Sequence, residues 1–129
     1  MKRHGVLNAP LSARLAELGH TDLVVVGDAG LPRPRGVPVV DLALVLGIPS
    51  FADVVRALAD ELMVEQVTMA DEARTANAGV VELVRSLFGE PEWVAHEDLK
   101  ALSGSACLFV RTGEATPFAN VVLRCGVPF

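Results

Sequence analysis

The chain has 129 residues and a mass of 13.6 kDa, which is the size of one domain with a single hydrophobic core. Hydrophobic residues make up 51% of it, and the mean hydropathy of +0.43 excludes a disordered chain. Eleven basic against sixteen acidic residues give a formal net charge of -5. No cluster of Lys or Arg with interleaved aromatic residues is present, which argues against nucleic-acid binding.

The apolar residues are not arranged as a membrane segment. No apolar stretch approaches the roughly 20 residues that a transmembrane helix needs. The N-terminus leads into a capped helix rather than into the apolar core of a signal peptide, so we expect a soluble and unexported protein. Because small monomers rarely expose large apolar surfaces, the high apolar content also predicts a homo-oligomer.

The first half of the chain predicts helices and strands in alternation. Asn8 is placed as an N-cap before leucines at helical spacing, and Ser50 with Asp53 forms a capping box. The run Leu23–Val26 is typical of a strand that is buried on both faces. The predicted elements are a helix over 10–18, strands over 23–26 and after Pro38, a helix over 51–61 and a strand over 63–69.

The second half alternates in the same way. Apolar residues recur at helical spacing over 71–88, and Asn77-Ala78-Gly79 marks a break between two helical pieces. His96 stands between a short strand and a small helix. The remaining predicted elements are a strand over 92–95, a helix over 97–102 and strands over 106–111 and 119–125.

This alternation predicts one α/β domain over residues 1–129, a three-layer α/β/α arrangement with a mainly parallel sheet. The last two strands are joined by seven residues, 112–118, which lack a helical pattern. An antiparallel or bent arrangement of these two strands would make the sheet mixed. Ligands of open α/β sheets bind near the carboxyl ends of strands, where Asp28 and His96 are predicted to lie.

Two of the three histidines are candidates for proton transfer. His20 lies in a turn between a helix and a strand, where an imidazole serves either as a structural hydrogen-bonding group or in proton exchange. His96 precedes a helix N-terminus, where free N–H groups attract the oxygens of a ligand. His4 lies beside Lys2 and Arg3 and is expected to be solvated.

Two polar residues at strand ends are candidates for binding a ligand. Asp28 serves as a turn residue, as a carboxylate that accepts a phosphoryl group, or as a hydrogen-bond acceptor for substrate hydroxyls. Asn120 ends a polar loop over 111–120 that Gly and Pro make rigid. Its amide both donates and accepts hydrogen bonds, which suits a sugar hydroxyl, although an Asn here also serves as a simple turn former.

Other kinds of site have no support in the sequence. The glycine fingerprint of dinucleotide sites and the Walker motif are both missing, so no cofactor is predicted. The histidines and cysteines lack metal-ligand spacing, and the acidic pairs Asp60-Glu61 and Asp71-Glu72 are interpreted as solvated helix ends, so no metal is predicted. Cys107 and Cys125 are predicted to be buried free thiols in a reducing compartment.

Five segments in order closely resemble the D-ribose pyranase family, also called RbsD, within the RbsD/FucU sugar mutarotases. They are Lys2–Asn8, Leu18–Asp22, Asp28–Pro32, Gly47–Phe51 and Arg111–Asn120. The resemblance runs from residue 2 to 129. It implies a cytoplasmic isomerase without cofactor that interconverts the pyranose and furanose forms of D-ribose, assembled as a decamer of two pentameric rings.

The resemblance also implies roles for particular residues. The family's proton donor falls on His20, its sugar-binding carboxylate on Asp28, its second histidine on His96 and its sugar-contacting triplet on Phe118, Ala119 and Asn120. The common family triplet begins with Tyr. Phe118 lacks the phenol hydroxyl and keeps a ring that can stack on the sugar, so the departure concerns rate or sugar preference more than fold.

Strand geometry adds an expectation about how the site is assembled. His20 and Asp28 are predicted at opposite ends of one strand, roughly 20–26 Å apart if the strand is straight, so one ribose cannot contact both in one chain. We therefore expect a site across a subunit interface, with His20 from one protomer and Asp28, His96 and 118–120 from its neighbour. Two other functions remain open, a mutarotase for fucose or another sugar, and a non-enzymatic sugar-binding or transport-accessory protein.

Overall fold

The computed structural model describes all residues, 1–129, and folds them into six strands and five helices. The elements in chain order are α1 (Ala9–Ala16), β1 (Leu23–Gly27), β2 (Val39–Asp41), α2 (Phe51–Glu61), β3 (Val64–Ala70), α3 (Ala73–Ala76), α4 (Ala78–Phe88), β4 (Glu92–Val94), α5 (His96–Ser103), β5 (Leu108–Arg111) and β6 (Val121–Cys125). No helix is long and apolar enough to cross a membrane.

The six strands form one mixed sheet in the order β2-β5-β1-β6-β3-β4. Strand β5 is parallel to β1 and β2, and β3 is parallel to β4. Strand β6 is antiparallel to both β1 and β3, so β1 to β5 all run in one direction and β6 alone runs in the other. The predicted mainly parallel, mixed sheet is confirmed. We call the edge where β1 to β5 end the carboxyl edge, and the edge where they begin the amino edge.

The last two strands run in opposite directions but do not pair with each other. Strand β1 lies between them, and its Val24 pairs with Leu108 of β5 on one side and with Leu123 of β6 on the other. A central position suits β1 because its residues after Leu23 are all buried.

Helices cover both faces of the sheet, which confirms the predicted three layers. Side chains from α1, α2, α3 and α4 pack on one face in a cluster of 21 buried residues that includes Val24 and Val26. The other face carries α5, and Leu99 packs there with Val25 and Phe109 in a cluster of seven. The alternation of side chains along β1 therefore supplies both cores.

Local capping signals set the helix starts. Asn8 Oδ1 accepts a hydrogen bond from the N–H of Leu11 at the start of α1. Ser50 and Asp53 form the predicted capping box, and α2 has the predicted bounds. The predicted break in the helix over 71–88 is also present, with α3 and α4 meeting at Asn77.

Several details differ from the predictions, and one of them is that α1 ends at Ala16 rather than at residue 18. Cys107 is exposed, whereas Cys125 is buried as predicted, and both are free thiols. Strand β5 begins two residues later than predicted because the N–H of Ala106 still closes a turn on Ser103 of α5. Strand β6 begins at Val121 because Phe118 adopts a φ of 55° and turns the chain before the strand starts.

Candidate functional site

Loops that carry polar side chains meet at the carboxyl edge. Asp28 follows β1, Glu72 follows β3 and His96 follows β4. Because β6 runs opposite to the other strands, the residues that precede it, 118–120, arrive at the same edge. Five of the six candidate site residues named from the sequence therefore lie along this edge.

Asn120 and Asp28 form the first contact of the site. Asn120 is 1% exposed, and its Oδ1 accepts a hydrogen bond of 2.8 Å from the backbone N–H of Asp28. Its Nδ2 is also buried and has no protein partner. The Asp28 carboxylate accepts from the N–H of Gly30 at 2.9 Å, which leaves lone pairs on both oxygens for a ligand.

His96 and Phe118 form the second contact. Their rings meet edge to face, with 5.0 Å between centroids and an angle of 85° between planes. The backbone N–H of His96 donates to the Glu72 carboxylate, at 3.0 Å to Oε2. Hydrogen bonds from the backbone N–H groups of Glu72 itself and of His96 lower the pKa of Glu72. The His96 Nδ1 is buried without a protein partner, so this ring has an unused polar atom.

The segment between β5 and β6 is tied to the end of β1 and to α2. Thr112 is fully buried, and its hydroxyl donates to the Gly27 carbonyl at 2.8 Å. Glu114 Oε2 accepts from the N–H of Phe51, the first residue of α2, at 2.9 Å. Burial raises the pKa of Glu114, but hydrogen bonds from Phe51 and Thr116 outweigh burial and lower it overall. The carboxylate is thus held in its charged form.

An open cleft of about 380 Å³ lies beside these contacts, a size that suits a small ligand. Its lining residues are Asp28, Ala29, Gly30, Leu46, Glu114, Ala115, Thr116 and Pro117. A larger groove of about 490 Å³ lies among Leu15, Leu18, Leu62 and Met63, and none of the candidate site residues lines it. The smaller cleft is lined by Asp28 but not by His96 or Asn120. Asn120 adjoins it through its hydrogen bond to Asp28.

His20 lies on the amino edge, at the opposite end of β1 from Asp28. Its Nε2 is 3.0 Å from Glu65 Oε2, and Glu65 Oε1 also contacts Arg124 Nε at 3.0 Å. The His20 side chain is 54% exposed. Within one chain the structure does not bring His20 to the other five candidate residues.

The structure adds site neighbours to which the sequence analysis gave no role. Glu72 is exposed at the start of α3, as predicted for a solvated helix end, and its carboxylate also accepts hydrogen bonds from the backbone N–H of His96. Asn77 was interpreted as a helix break, and it donates to Thr116 and Pro117. Glu114 binds the start of α2. The sequence signalled only the helix break at Asn77. It could not show the contacts of these three residues, because each contact joins segments that are distant in sequence.

Comparison with known proteins gives a consistent result. The sequence profile of the RbsD / FucU transport protein family matches residues 1–128. The D-ribose pyranases of Exiguobacterium sibiricum and Streptomyces coelicolor are 54% and 57% identical to this chain over 129 residues, with 100% of each chain covered.

Solved structures agree with this result. The structure of Bacillus subtilis RbsD complexed with D-ribose matches with a TM-score of 0.95 and 46% identity, again over 100% of both chains. The fucose mutarotase of Streptococcus pneumoniae in complex with L-fucose has a TM-score of 0.83 over 99% of this chain and 100% of its own, and at 18% identity it shows the fold alone. The chain belongs to the RbsD / FucU family.

Proposed function

We propose that this chain is a D-ribose pyranase, an isomerase that interconverts the β-pyranose and β-furanose forms of D-ribose without a cofactor. Proteins of that name are 54% and 57% identical to it over their full length. The observation that carries the proposal is that Asn120 Nδ2 and His96 Nδ1 are both buried at the carboxyl edge without a protein partner. Buried polar atoms are nearly always hydrogen-bonded, so these two are available to the hydroxyls of a sugar.

The reaction needs proton transfer and no electron transfer. A proton leaves the anomeric hydroxyl, a proton reaches the ring oxygen, and the bond between the anomeric carbon and the ring oxygen breaks. The open aldehyde is then attacked by a different hydroxyl, with the same two proton transfers in reverse. Groups that exchange protons near neutral pH and groups that hold hydroxyls in place are sufficient for this chemistry.

The carboxyl edge supplies the groups that hold the sugar. The Asp28 carboxylate accepts hydrogen bonds from hydroxyls, and Asn120 Nδ2 donates one from a position that its bond to Asp28 fixes. Phe118 packs its ring against an apolar face of the sugar. His96 Nδ1, beside that ring, binds a hydroxyl or accepts the anomeric proton.

His20 supplies the proton to the ring oxygen from a second copy of the chain. Within one copy His20 lies on the amino edge, so the site is complete only where the amino edge of one copy meets the carboxyl edge of another. The Glu65 carboxylate lies 3.0 Å from His20 Nε2, so it orients the ring and leaves Nδ1 as the atom that exchanges the proton.

We infer a homo-oligomer because the proposed site needs two copies of the chain. From the family resemblance we further infer ten copies in two rings of five and a cytoplasmic location. Exposed apolar side chains at the turn over 44–48 support self-association. Leu44 and Leu46 are each 77% exposed, and Leu46 lines the cleft beside Asp28. Apolar surface of this kind is typical of a face that another protein covers.

Two alternatives are less well supported. A fucose mutarotase is only 18% identical to this chain, whereas the D-ribose pyranases exceed 50% over their full length. A sugar-binding or transport-accessory protein without catalysis would need the hydroxyl ligands of the carboxyl edge but not the exchangeable proton of His20.

The deciding experiment is NMR magnetisation exchange between the pyranose and furanose signals of D-ribose at equilibrium. We expect the wild-type protein to accelerate exchange and His20→Ala to lose at least about 100-fold of that acceleration, the usual contribution of a positioned general acid. L-Fucose in the same assay tests the sugar preference. A wild type that binds ribose without accelerating exchange would contradict the proposal and favour a binding protein, and full activity in His20→Ala would remove the role of His20.

A further inference from the structure

The backbone of Phe118 adopts a conformation that needs support from its surroundings. Its φ is 55°, in the left-handed region that residues with a Cβ rarely enter. This conformation turns the chain so that the Phe118 ring meets His96 while Asn120, two residues on, reaches the N–H of Asp28. A residue in this region is stable only where neighbouring contacts hold it.

Asn77 supplies two hydrogen bonds to the segment directly before Phe118. Its Nδ2 donates to Thr116 Oγ1 and to the Pro117 carbonyl, both at 2.8 Å, so it fixes the two residues directly before Phe118. Asn77 stands at the N-cap position of α4, where an Asn side chain ordinarily caps the helix. Here its side chain makes no capping hydrogen bond. Both hydrogens of its amide are directed to the segment before Phe118 instead.

A second contact continues the same chain of hydrogen bonds. The Thr116 hydroxyl accepts from Asn77 and donates to Glu114 Oε1 at 2.9 Å. The other oxygen of Glu114 accepts from the N–H of Phe51 at 2.9 Å. The Thr116 hydroxyl has one hydrogen, which it donates to Glu114, and it accepts from Asn77 through a lone pair. The donor and the acceptor of each hydrogen bond are therefore fixed. These hydrogen bonds link the α3–α4 junction to the start of α2 through residues 116 and 114.

We propose that Asn77 and Thr116 are positioning residues that hold Phe118 against His96 and so preorganise the sugar-binding half of the site. Neither residue needs to touch the reacting atoms. The expected change in KM rests on the proposed function. The position of the Phe118 ring against His96 can be measured without any activity.

Three variants test the proposal. Asn77→Ala removes both donors and leaves the start of α4 as it is, because the Asn77 side chain does not cap that helix. Thr116→Val removes the hydroxyl at nearly constant shape, and Thr116→Ser keeps it as the conservative control. Asn8→Ala serves as a second control, since it removes a side-chain hydrogen bond of similar strength at the N-cap of α1, away from the segment over 112–120.

Two readouts are combined. The first is the NMR chemical shift of the carbon-bound ring protons of His96, which the ring current of Phe118 displaces. The second is the KM and kcat of ribose ring exchange. We expect Asn77→Ala and Thr116→Val to move the His96 shift toward that of an exposed histidine and to raise KM by about 3- to 10-fold, the loss that one neutral hydrogen bond gives. Thr116→Ser and Asn8→Ala should keep both values near wild type.

The two proposals fail in different ways. If wild type accelerates ring exchange, and Asn77→Ala and Thr116→Val leave both the His96 shift and KM unchanged, the positioning role is overturned and the function stands. If wild type shows no ring exchange, the function fails, while a His96 shift that moves in Asn77→Ala and Thr116→Val but not in Thr116→Ser supports the positioning role. If the His96 shift also moves in Asn8→Ala, the effect comes from a general loss of stability, and the positioning role is overturned.

Discussion

Leu31 and Asn120 lie so close to the end of β1 that residue 27 has little room for a side chain. A Cβ on Gly27 would lie 2.8 Å from Leu31 Cδ2 and 3.3 Å from Asn120 Oδ1. Glycine here lets the buried amide reach the backbone N–H of Asp28. The absence of a Cβ at residue 27 therefore leaves room for Asn120, a residue that we expect to bind the sugar.

Gly27→Ala tests this close approach. We expect it to lower the free energy of unfolding by roughly 1 to 3 kcal/mol, as overpacking of a core does, because Leu31 and Asn120 must both move. Urea unfolding followed by circular dichroism measures the change. Gly30→Ala is the matched control: its Cβ would meet only Asp28 Oδ1 at 3.5 Å, an ordinary contact, so its stability should stay within about 0.5 kcal/mol of wild type.

Individual site residues were predictable where a local pattern or a family motif marked them. Asp28 and Asn120 were placed at strand ends by the apolar runs beside them, and they do contact each other. Asn77 was marked only as a helix break and Glu114 only as part of the 111–120 segment, because their partners lie 39 and 63 residues away in sequence. The exposure of Cys107 was missed because an apolar run reports the average burial of a segment rather than that of one side chain.

At the scale of elements, features that depend on neighbouring residues were predicted, and features that depend on residues distant in sequence were not. The bounds of α2 were predicted because Ser50 and Asp53 are three residues apart and form their capping box within one turn. The position of β1 between β5 and β6 was not predicted, because strand order depends on pairing between distant segments. Periodicity identifies a strand but not its neighbour.

Glu114 connects two elements and makes their association depend on pH. The pKa of its carboxyl group is lowered from the ordinary value of 4.5, so the folded state favours the charged form. A lowered folded pKa contributes stability that is complete above the unfolded pKa and is lost as the pH falls through the folded pKa. The attachment of the 112–118 segment to α2 should therefore weaken in acid, below about pH 4.5.

Glu114→Gln is the variant that tests this dependence. At pH 7 we expect it to unfold about 1 kcal/mol more easily than wild type, since an amide is a weaker acceptor for the Phe51 N–H than a carboxylate. Thermal unfolding from pH 7 down to pH 3 should show the two curves converging as Glu114 protonates in wild type. Equal stabilities at pH 7, or a constant difference at every pH, would contradict this role for the carboxylate.

At the scale of the whole molecule, the direction of β6 determines which residues share an edge. Because β6 is antiparallel to β1 and β3, the residues before it join the residues that follow the other strands. A parallel β6 would place Asn120 on the amino edge beside His20. The topology thus gathers Asp28, His96, Phe118 and Asn120 at one edge, and leaves His20 with Glu65 at the other.

This separation makes the proposed site testable by mixing two inactive proteins. His20→Ala and Asp28→Asn should each be inactive alone, since each damages a different edge of every copy. Where the two variants assemble together, some sites combine an intact amino edge from the Asp28→Asn chain with an intact carboxyl edge from the His20→Ala chain. Random assembly of equal amounts should restore about a quarter of the wild-type sites, because each site takes its two halves from different copies.

Co-expression of the two variants, followed by ribose ring-exchange measurements on the purified mixture, gives the answer. Asp28→Asn mixed with Asn120→Ala is the control, because both changes lie on the carboxyl edge and no combination of copies can provide an intact one. Recovery in the first mixture alone would establish that each site uses His20 of one copy and Asp28 of another. No recovery in a mixture shown by mass spectrometry to contain both chains would contradict a site that combines the amino edge of one copy with the carboxyl edge of another.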